Sequence, residues 1–89
     1  MIRREFEIVN KLGLHARAAT KLARLTGGFE CQIHTGKTPP LVNAKSVMSL
    51  MLLAASQGTR LIFEFDGADQ DNASDAVARL IANFFDEGE

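Results

Sequence analysis

Apolar and polar residues alternate along three stretches of the chain, which is the pattern of strands with one buried face. The alternation runs over residues 2–9, 29–34 and 60–65, with Arg4 as an exception in the first stretch. In the third stretch the residues predicted to face inward are Leu61, Phe63 and Phe65. The short run 41–43, which follows the turn-rich segment 35–40, adds a fourth predicted strand.

Helical spacing predicts three helices between and after these strands. The first begins at Ala16 and continues for about three turns to Gly27-Gly28. The second covers residues 47–55, with Ser46 as its N-cap and Gln57-Gly58 after its end. The third leaves Asp75, Arg79 and Asn83 in solvent and buries a stripe made of Ala73, Ala76, Val77, Leu80, Ile81 and Phe84.

The resulting order is βαββαβα, and half-apolar strands pair in an antiparallel sheet that is covered on one side. We therefore expect an α+β fold, an open-faced β-sandwich with a four-stranded antiparallel sheet under three helices. Residues 1–89 contain no internal repeat and no linker that would divide them. They are predicted to form one domain.

Composition excludes several classes of protein. Ten Lys and Arg against eleven Asp and Glu give a net charge of -1, which provides no global basic field for nucleic acid. The single Cys31 excludes an internal disulfide, and with two histidines it argues against structural zinc. The start lacks an apolar signal segment, and the apolar run 47–55 is shorter than the ~20 residues of a membrane span. We expect a soluble cytoplasmic protein without metal or cofactor.

The heptapeptide from Gly13 to Ala19, GLHARAA, places His15 at a helix start with Arg17 in the first turn. Amide groups there lack partners within the helix, and the helix dipole favours a bound anion such as phosphate. The guanidinium of Arg17 suits phosphate oxygens in bidentate geometry. Alternatively, His15 merely starts a helix and Arg17 is a solvated surface residue. His34, on the polar parity of a strand, is expected to be an ordinary exposed histidine.

The second predicted helix carries more apolar residues than one short helix can bury. Val47, Leu50, Met51 and Ala54 form one stripe, and Met48, Leu52 and Ala55 form a second. The excess indicates either a docking surface with adaptable methionines or core packing with scattered exposed side chains. Ser46 is a plain N-cap or, when phosphorylated, a site where about -1.5 to -2 charges arise beside that surface.

Two motifs together, GLHARAA at residues 13–19 and NAKSVM at residues 43–48, resemble those of the HPr family over essentially the whole chain. This family comprises the histidine-containing phosphocarriers of the bacterial phosphoenolpyruvate-dependent phosphotransferase system. The resemblance implies the open-faced sandwich described above. It also implies a phosphoryl group carried on His15, received from enzyme I and passed to an EIIA domain, so the protein is expected to be a carrier rather than an enzyme.

The same resemblance assigns expected roles to further residues. Arg17 would support the phosphoryl site, and Ser46 would be the target of an ATP-dependent HPr kinase. Partner proteins would dock against Ala16, Ala18, Val47, Met48, Met51 and Leu52. We expect the protein to be a monomer that binds no nucleic acid and does not insert into a membrane. Many relatives carry proline where this chain has Ala18, which restores one free amide in the first turn.

Three alternatives stay open beside this interpretation. A paralogue of a nitrogen-related or regulatory branch would use the same histidine chemistry with another acceptor. An acyl carrier modified on Ser46 would be an acidic helical bundle with Asp before the serine, where this chain has Lys45. A small nucleic-acid-binding domain would need Phe6, Phe63 and Phe65 as exposed stacking residues, against their inward parity.

Overall fold

Four strands and three helices form the fold in a computed structural model that describes residues 1–86. All strand pairs are antiparallel, and the strands lie in the sheet in the order Ile2–Glu7, Arg60–Asp66, Gln32–Gly36, Val42–Asn43. This arrangement confirms the predicted βαββαβα order and excludes an all-helical acyl carrier. The elements are β1 Ile2–Glu7, α1 Ala16–Gly27, β2 Gln32–Gly36, β3 Val42–Asn43, α2 Val47–Leu52, β4 Arg60–Asp66 and α3 Gln70–Ala82, followed by a 3₁₀ turn at Phe84–Asp86.

The central strand β4 provides much of the core. Leu61, Phe63 and Phe65 are fully buried, as their parity predicted. The rings of Phe63 and Phe65 stack with centroids 6.0 Å apart, and Phe6 from β1 packs 5.5 Å from Phe63. Because two of these rings are buried and Phe6 packs against them, they do not form an exposed platform for nucleic-acid bases.

Arg4, the exception in the alternating pattern of β1, lies opposite Phe63 on the helix-covered face. Its guanidinium is centred 4.9 Å from the Phe6 ring and lies 3.5 Å from a carboxylate oxygen of Asp75 on α3. Since β1 is an edge strand, a long side chain on its inner face reaches solvent while its stem covers apolar surface. A cation is therefore tolerated at an inward position.

The ends of β1 and β2 differ from the predicted ends. β1 stops at Glu7, and the chain beyond it is tied to the segment just before β4 by hydrogen bonds between Ile8 and residues 58–59. β2 begins at Gln32 because the amides of Glu30 and Cys31 donate to the carboxylate of Asp69. It extends through Gly36, so two residues predicted as turn belong to the sheet.

α2 is shorter than predicted, ending at Leu52, and the prediction that it extends to Ala55 is wrong. Leu53 is its C-cap, and Ala54 adopts φ 52°, a left-handed conformation that stops the helix. The carbonyl of Ala55 then accepts the amide of Leu14 at 2.8 Å. The helix therefore ends before Gln57-Gly58, the predicted end signal, and its end is accompanied by the contact between Ala55 and Leu14.

α3 also ends earlier than predicted. Ala73, Val77 and Ile81 are buried as expected, but after Ala82 the backbone turns to positive φ at Phe84, Phe85 and Asp86. As a result Phe85, and not Phe84, is the fully buried ring. The ammonium of Lys21 donates to the Phe85 carbonyl at 2.9 Å. Within residues 1–86 no helix is long and apolar enough to cross a membrane.

Asp69 gives the fold a testable dependence on acid. Its carboxylate accepts the Glu30 amide at 2.8 Å and the Cys31 amide at 2.9 Å. These bonds, led by that of Glu30, hold the pKa of Asp69 below its ordinary value. The folded state thus favours the carboxylate, so this stabilisation is complete above the unfolded-state pKa and is lost as pH falls through the folded-state pKa.

We expect the free energy of unfolding of the wild type to fall more steeply below about pH 5 than that of Asp69→Asn, because the amide has no titrating carboxylate. Urea denaturation at a series of pH values measures both slopes. Asp71→Asn, which removes an exposed carboxylate on the same helix, should retain the wild-type slope. Equal slopes for Asp69→Asn and wild type would contradict the assignment.

Candidate functional site

His15 is the N-cap of α1, as predicted. Its backbone is extended, with φ -78° and ψ -179°, and its Nδ1 accepts the backbone N–H of Arg17 at 3.2 Å. A ring nitrogen that accepts a hydrogen bond carries no proton, so the neutral imidazole has its proton on Nε2. The half-buried ring therefore directs a lone pair at the first turn of the helix.

The first turn of α1 is electropositive. Its first internal hydrogen bond runs from the Ala19 amide to the His15 carbonyl, so the amides before Ala19 precede the helical ladder. No acidic residue lies in this turn, and Arg17 is exposed there. The helix dipole and the guanidinium act in the same direction, which makes this end suited to an anion.

Beyond Arg17, the exposed side of α1 bears further cations that the sequence analysis did not single out. A shallow depression there is lined by Ala16, Arg17, Thr20, Lys21 and Arg24. The spacing of the three cations at residues 17, 21 and 24 places them on one side of a helix and was visible in the sequence. Positive charge thus extends from the His15 end along the helix.

Ala18 does not belong to this exposed surface. Its side chain is fully buried in the core, whereas Ala16, two residues earlier, is exposed. The prediction of Ala18 as a docking residue is therefore wrong for its side chain, because no atom beyond the backbone can reach a partner. Its small size instead allows α1 to pack closely at this turn.

Ser46 is the N-cap of α2, as predicted. Its Oγ accepts the Ser49 amide at 3.2 Å, and its carbonyl accepts the Leu50 amide. The preceding Lys45 is held separately, since its ammonium donates to the Phe29 carbonyl at 2.7 Å. The hydroxyl of Ser46 is therefore a half-buried cap at the start of the helix that carries the exposed apolar residues.

α2 displays the predicted excess of apolar residues as an exposed surface. Met48 is 72% exposed, Met51 44% and Leu52 79%, while Leu50 is fully buried. Together with the half-buried Val47, these three exposed residues line a shallow apolar depression, which we call the α2 patch. The exposed apolar side chains of α2 are therefore contiguous rather than scattered over the surface.

The α2 patch and His15 lie on neighbouring parts of the molecule. α1 and α2 pack against each other, and the Leu14 amide donates to the Ala55 carbonyl just beyond the end of α2. A partner that covers the C-terminal end of α2 is therefore adjacent to the residue that precedes His15. Arg17 and Ala16 lie in the first turn on the other side of His15.

His34 is half-buried rather than fully exposed, which corrects the prediction for this residue. It pairs with Glu64 of β4 and with Asn43 of β3, so neighbours on both sides cover part of its ring. Among the residues that the structure describes, no three His, Cys, Asp or Glu side chains form a group that could hold a metal ion.

Known proteins match this chain along nearly its full length. The family model described as "PTS HPr component phosphorylation site" matches residues 2–83. The phosphocarrier protein HPr of Pseudomonas putida is 51% identical over 87 residues, 97% of each chain. The phosphocarrier protein NPr of Shewanella violacea is 41% identical over 86 residues, 97% of this chain and 94% of that one. The crystal structure of HPr-C-His from Thermoanaerobacter tengcongensis superposes with a TM-score of 0.93 at 39% identity, covering 98% of both chains.

The N-cap at Ser46 makes a measurable contribution to stability. Ser46→Ala removes the acceptor for the Ser49 amide and should lower the free energy of unfolding by about 1 kcal/mol, whereas Ser46→Asp retains a capping oxygen and should lose less. Ser49→Ala is the matched control, because it keeps the Ser46 hydroxyl and the backbone amide of residue 49 that donates to it. Chemical denaturation measures all three. Equal losses for Ser46→Ala and Ser49→Ala would show that the cap is not formed in solution.

Proposed function

The chain belongs to the HPr family of phosphocarrier proteins of the phosphotransferase system, and we propose that His15 is the residue on which it carries the phosphoryl group. The observation that carries this proposal is the N-cap geometry of His15, whose unprotonated Nδ1 directs its lone pair at the first turn of α1 and accepts the Arg17 N–H. Enzyme I is the proposed donor and an EIIA-type domain is the proposed acceptor.

In the proposed transfer, the lone pair of His15 Nδ1 attacks the phosphorus of a phosphohistidine on enzyme I in line with the bond that breaks. A new N–P bond forms on His15, and the electron pair of the old N–P bond returns to the donor nitrogen. His15 Nε2 releases a proton as the donor imidazole takes one up, so charge and atoms balance. The second transfer follows the same steps, with phosphorylated His15 as the donor and the acceptor histidine as the nucleophile.

The surroundings of Nδ1 support this chemistry through positioning and charge. A phosphoryl group on Nδ1 would replace the Arg17 amide's present interaction with the ring by one with phosphate oxygen. The positive end of α1 and the Arg17 guanidinium would stabilise the negative charge of the group. Since the protein is modified and regenerated in each cycle, we propose that it acts as a carrier and not as an enzyme.

The α2 patch and the basic side of α1 form the proposed docking surface for both partners. Ala16, Val47, Met48, Met51 and Leu52 would provide apolar contact, and Arg17 and Arg24 would attract a partner with acidic groups around its own histidine. Flexible methionines adapt to surfaces of different shape. One surface would thus serve the donor and the acceptor in turn, with a single copy of the chain acting as a cytoplasmic monomer.

Ser46 is the proposed regulatory site, modified by an HPr kinase that uses ATP. Phosphorylation would place about -1.5 to -2 charges at the start of the helix that bears the α2 patch. The helix dipole favours a negative group there, so the modification would not require refolding. Acidic partners would be repelled from the docking surface, which would slow transfer to and from His15.

The relatives favour the HPr branch over the nitrogen-related one. The HPr of Pseudomonas putida is 51% identical to the chain, against 41% for the NPr of Shewanella violacea. The two branches share the histidine chemistry, and they differ in the acceptor. We therefore propose an EIIA of the sugar branch as the acceptor of the group on His15.

The first experiment tests His15 directly. With enzyme I and labelled phosphoenolpyruvate, the wild type should gain one acid-labile phosphate, and His15→Ala should gain none because it lacks the nucleophile. His34→Ala, which removes the other histidine, is the control and should be labelled like the wild type. Equal labelling of His15→Ala would sink the proposal.

The second experiment tests Ser46. With HPr kinase and ATP, the wild type and His15→Ala should gain an acid-stable phosphate, whereas Ser46→Ala should not, because its hydroxyl is missing. Ser49→Ala is the matched control, since it removes the other hydroxyl near the start of α2. Labelling of Ser46→Ala at the wild-type level would place the regulatory site elsewhere.

A further inference from the structure

Asn10 is a fully buried polar residue in the loop that leads to His15. Its side-chain amide donates to the Gly13 carbonyl at 2.8 Å, and the Gly13 amide donates to the Asn10 carbonyl at 3.2 Å. Two hydrogen bonds between Asn10 and Gly13 therefore hold the turn in the loop between β1 and α1. A buried amide is costly without such a bond, so its presence at this position calls for a role.

The peptide group between Gly13 and Leu14 is held from both sides. Asn10 binds its carbonyl oxygen, and the Ala55 carbonyl accepts its N–H at 2.8 Å. Gly13 has φ 67°, and a Cβ there would lie only 2.4 Å from the Ala55 oxygen, so the backbone approach leaves no space for a side chain. The plane of this peptide group is therefore fixed within the loop.

The fixed peptide group is one residue away from His15. Leu14 is itself buried, so its position adds no freedom, and His15 then takes the extended conformation that lets Nδ1 cap α1. A rotation of the Gly13–Leu14 peptide would change the direction in which the chain enters the helix. The imidazole would then lose its alignment with the Arg17 amide.

We propose that Asn10 is a positioning residue for the transfer reaction: by holding the Gly13 carbonyl it aims His15 Nδ1 at the site where the phosphoryl group is received. This inference rests on the proposed function of His15. Asn10 is buried and lies outside the α2 patch, so it would affect the rate of transfer in the complex and not the docking of enzyme I.

Steady-state transfer from phosphorylated enzyme I, with this protein as the substrate, separates the two effects. In Asn10→Ala and in the nearly isosteric Asn10→Asp, which lacks the donor, kcat should fall about 10- to 100-fold while KM stays within about twofold. Thr35→Val is the matched control, since it removes the side-chain hydrogen bond of another fully buried residue, from Thr35 to the Ile62 carbonyl in the sheet. It should retain the wild-type kcat.

Nitrogen NMR at a pH where the rings are neutral supplies a readout that loss of stability alone would not change. In the wild type the Nδ1 of His15 should have the chemical shift of an unprotonated acceptor, and in the Asn10 variants it should move towards a mixture of tautomers. His34 is the internal reference and should not move. A wild-type kcat in folded Asn10→Ala, or an equal loss in Thr35→Val, overturns the proposal.

The wild-type protein provides a test that does not depend on folding of a variant. The side-chain amide of Asn10 should exchange with solvent at least about tenfold more slowly than that of the exposed Asn72. Equal exchange means that the contact with Gly13 is absent in solution and refutes the positioning role. Absence of labelling on wild-type His15 would instead refute the proposed function, so the two failures are distinguishable.

Discussion

The hydrogen bond from the Leu14 amide to the Ala55 carbonyl is the contact on which the proposed docking surface depends. It joins the loop that enters α1 to the segment that leaves α2, so it brings the histidine and the α2 patch together. The contact requires a close backbone approach, which Gly13 permits because it has no Cβ. The left-handed Ala54 directs the Ala55 carbonyl away from the helix and towards Leu14.

This arrangement suits the proposed role, in which the protein binds a donor and an acceptor in turn and remains with neither. His15, the proposed nucleophile, lies at a helix end near the surface rather than in a deep cleft, so a partner's histidine could approach along the line of attack. The α2 patch offers apolar contact from few side chains, three of which are well exposed. A surface this small is suited to brief complexes, and the cations of α1 would speed the encounter with the acidic partners proposed above.

The caps were predictable from the sequence because each depends on residues within three positions. His15 with Arg17 and Ser46 with Ser49 are local hydrogen bonds, and the alternating parity of β4 likewise needs no distant information. The ends of the helices were not predictable in this way. Contacts between distant segments, Leu14 with Ala55 and Lys21 with Phe85, accompany those ends, and no local pattern reveals them.

The same distinction applies to Ala18, which was predicted as a docking residue, and to Asn10, to which the sequence motifs assign no role. Ala18 looks like a surface residue of the motif because it follows Arg17, but the rotation of α1 turns it into the core. Asn10 looks like an ordinary turn residue because asparagine is common in turns. Only the tertiary structure shows that its side chain is buried and bonded to Gly13.

Alanine in place of the family's frequent proline at position 18 is consistent with this geometry. A proline there would fix φ and supply no amide, whereas Ala18 leaves one more N–H in the turn that precedes the first helical hydrogen bond, from Ala19 to His15. In this chain the turn is held by the His15 cap at one end and by the buried Ala18 side chain. The first turn of this chain therefore combines a capped backbone with an additional amide donor at the site proposed for the phosphoryl group.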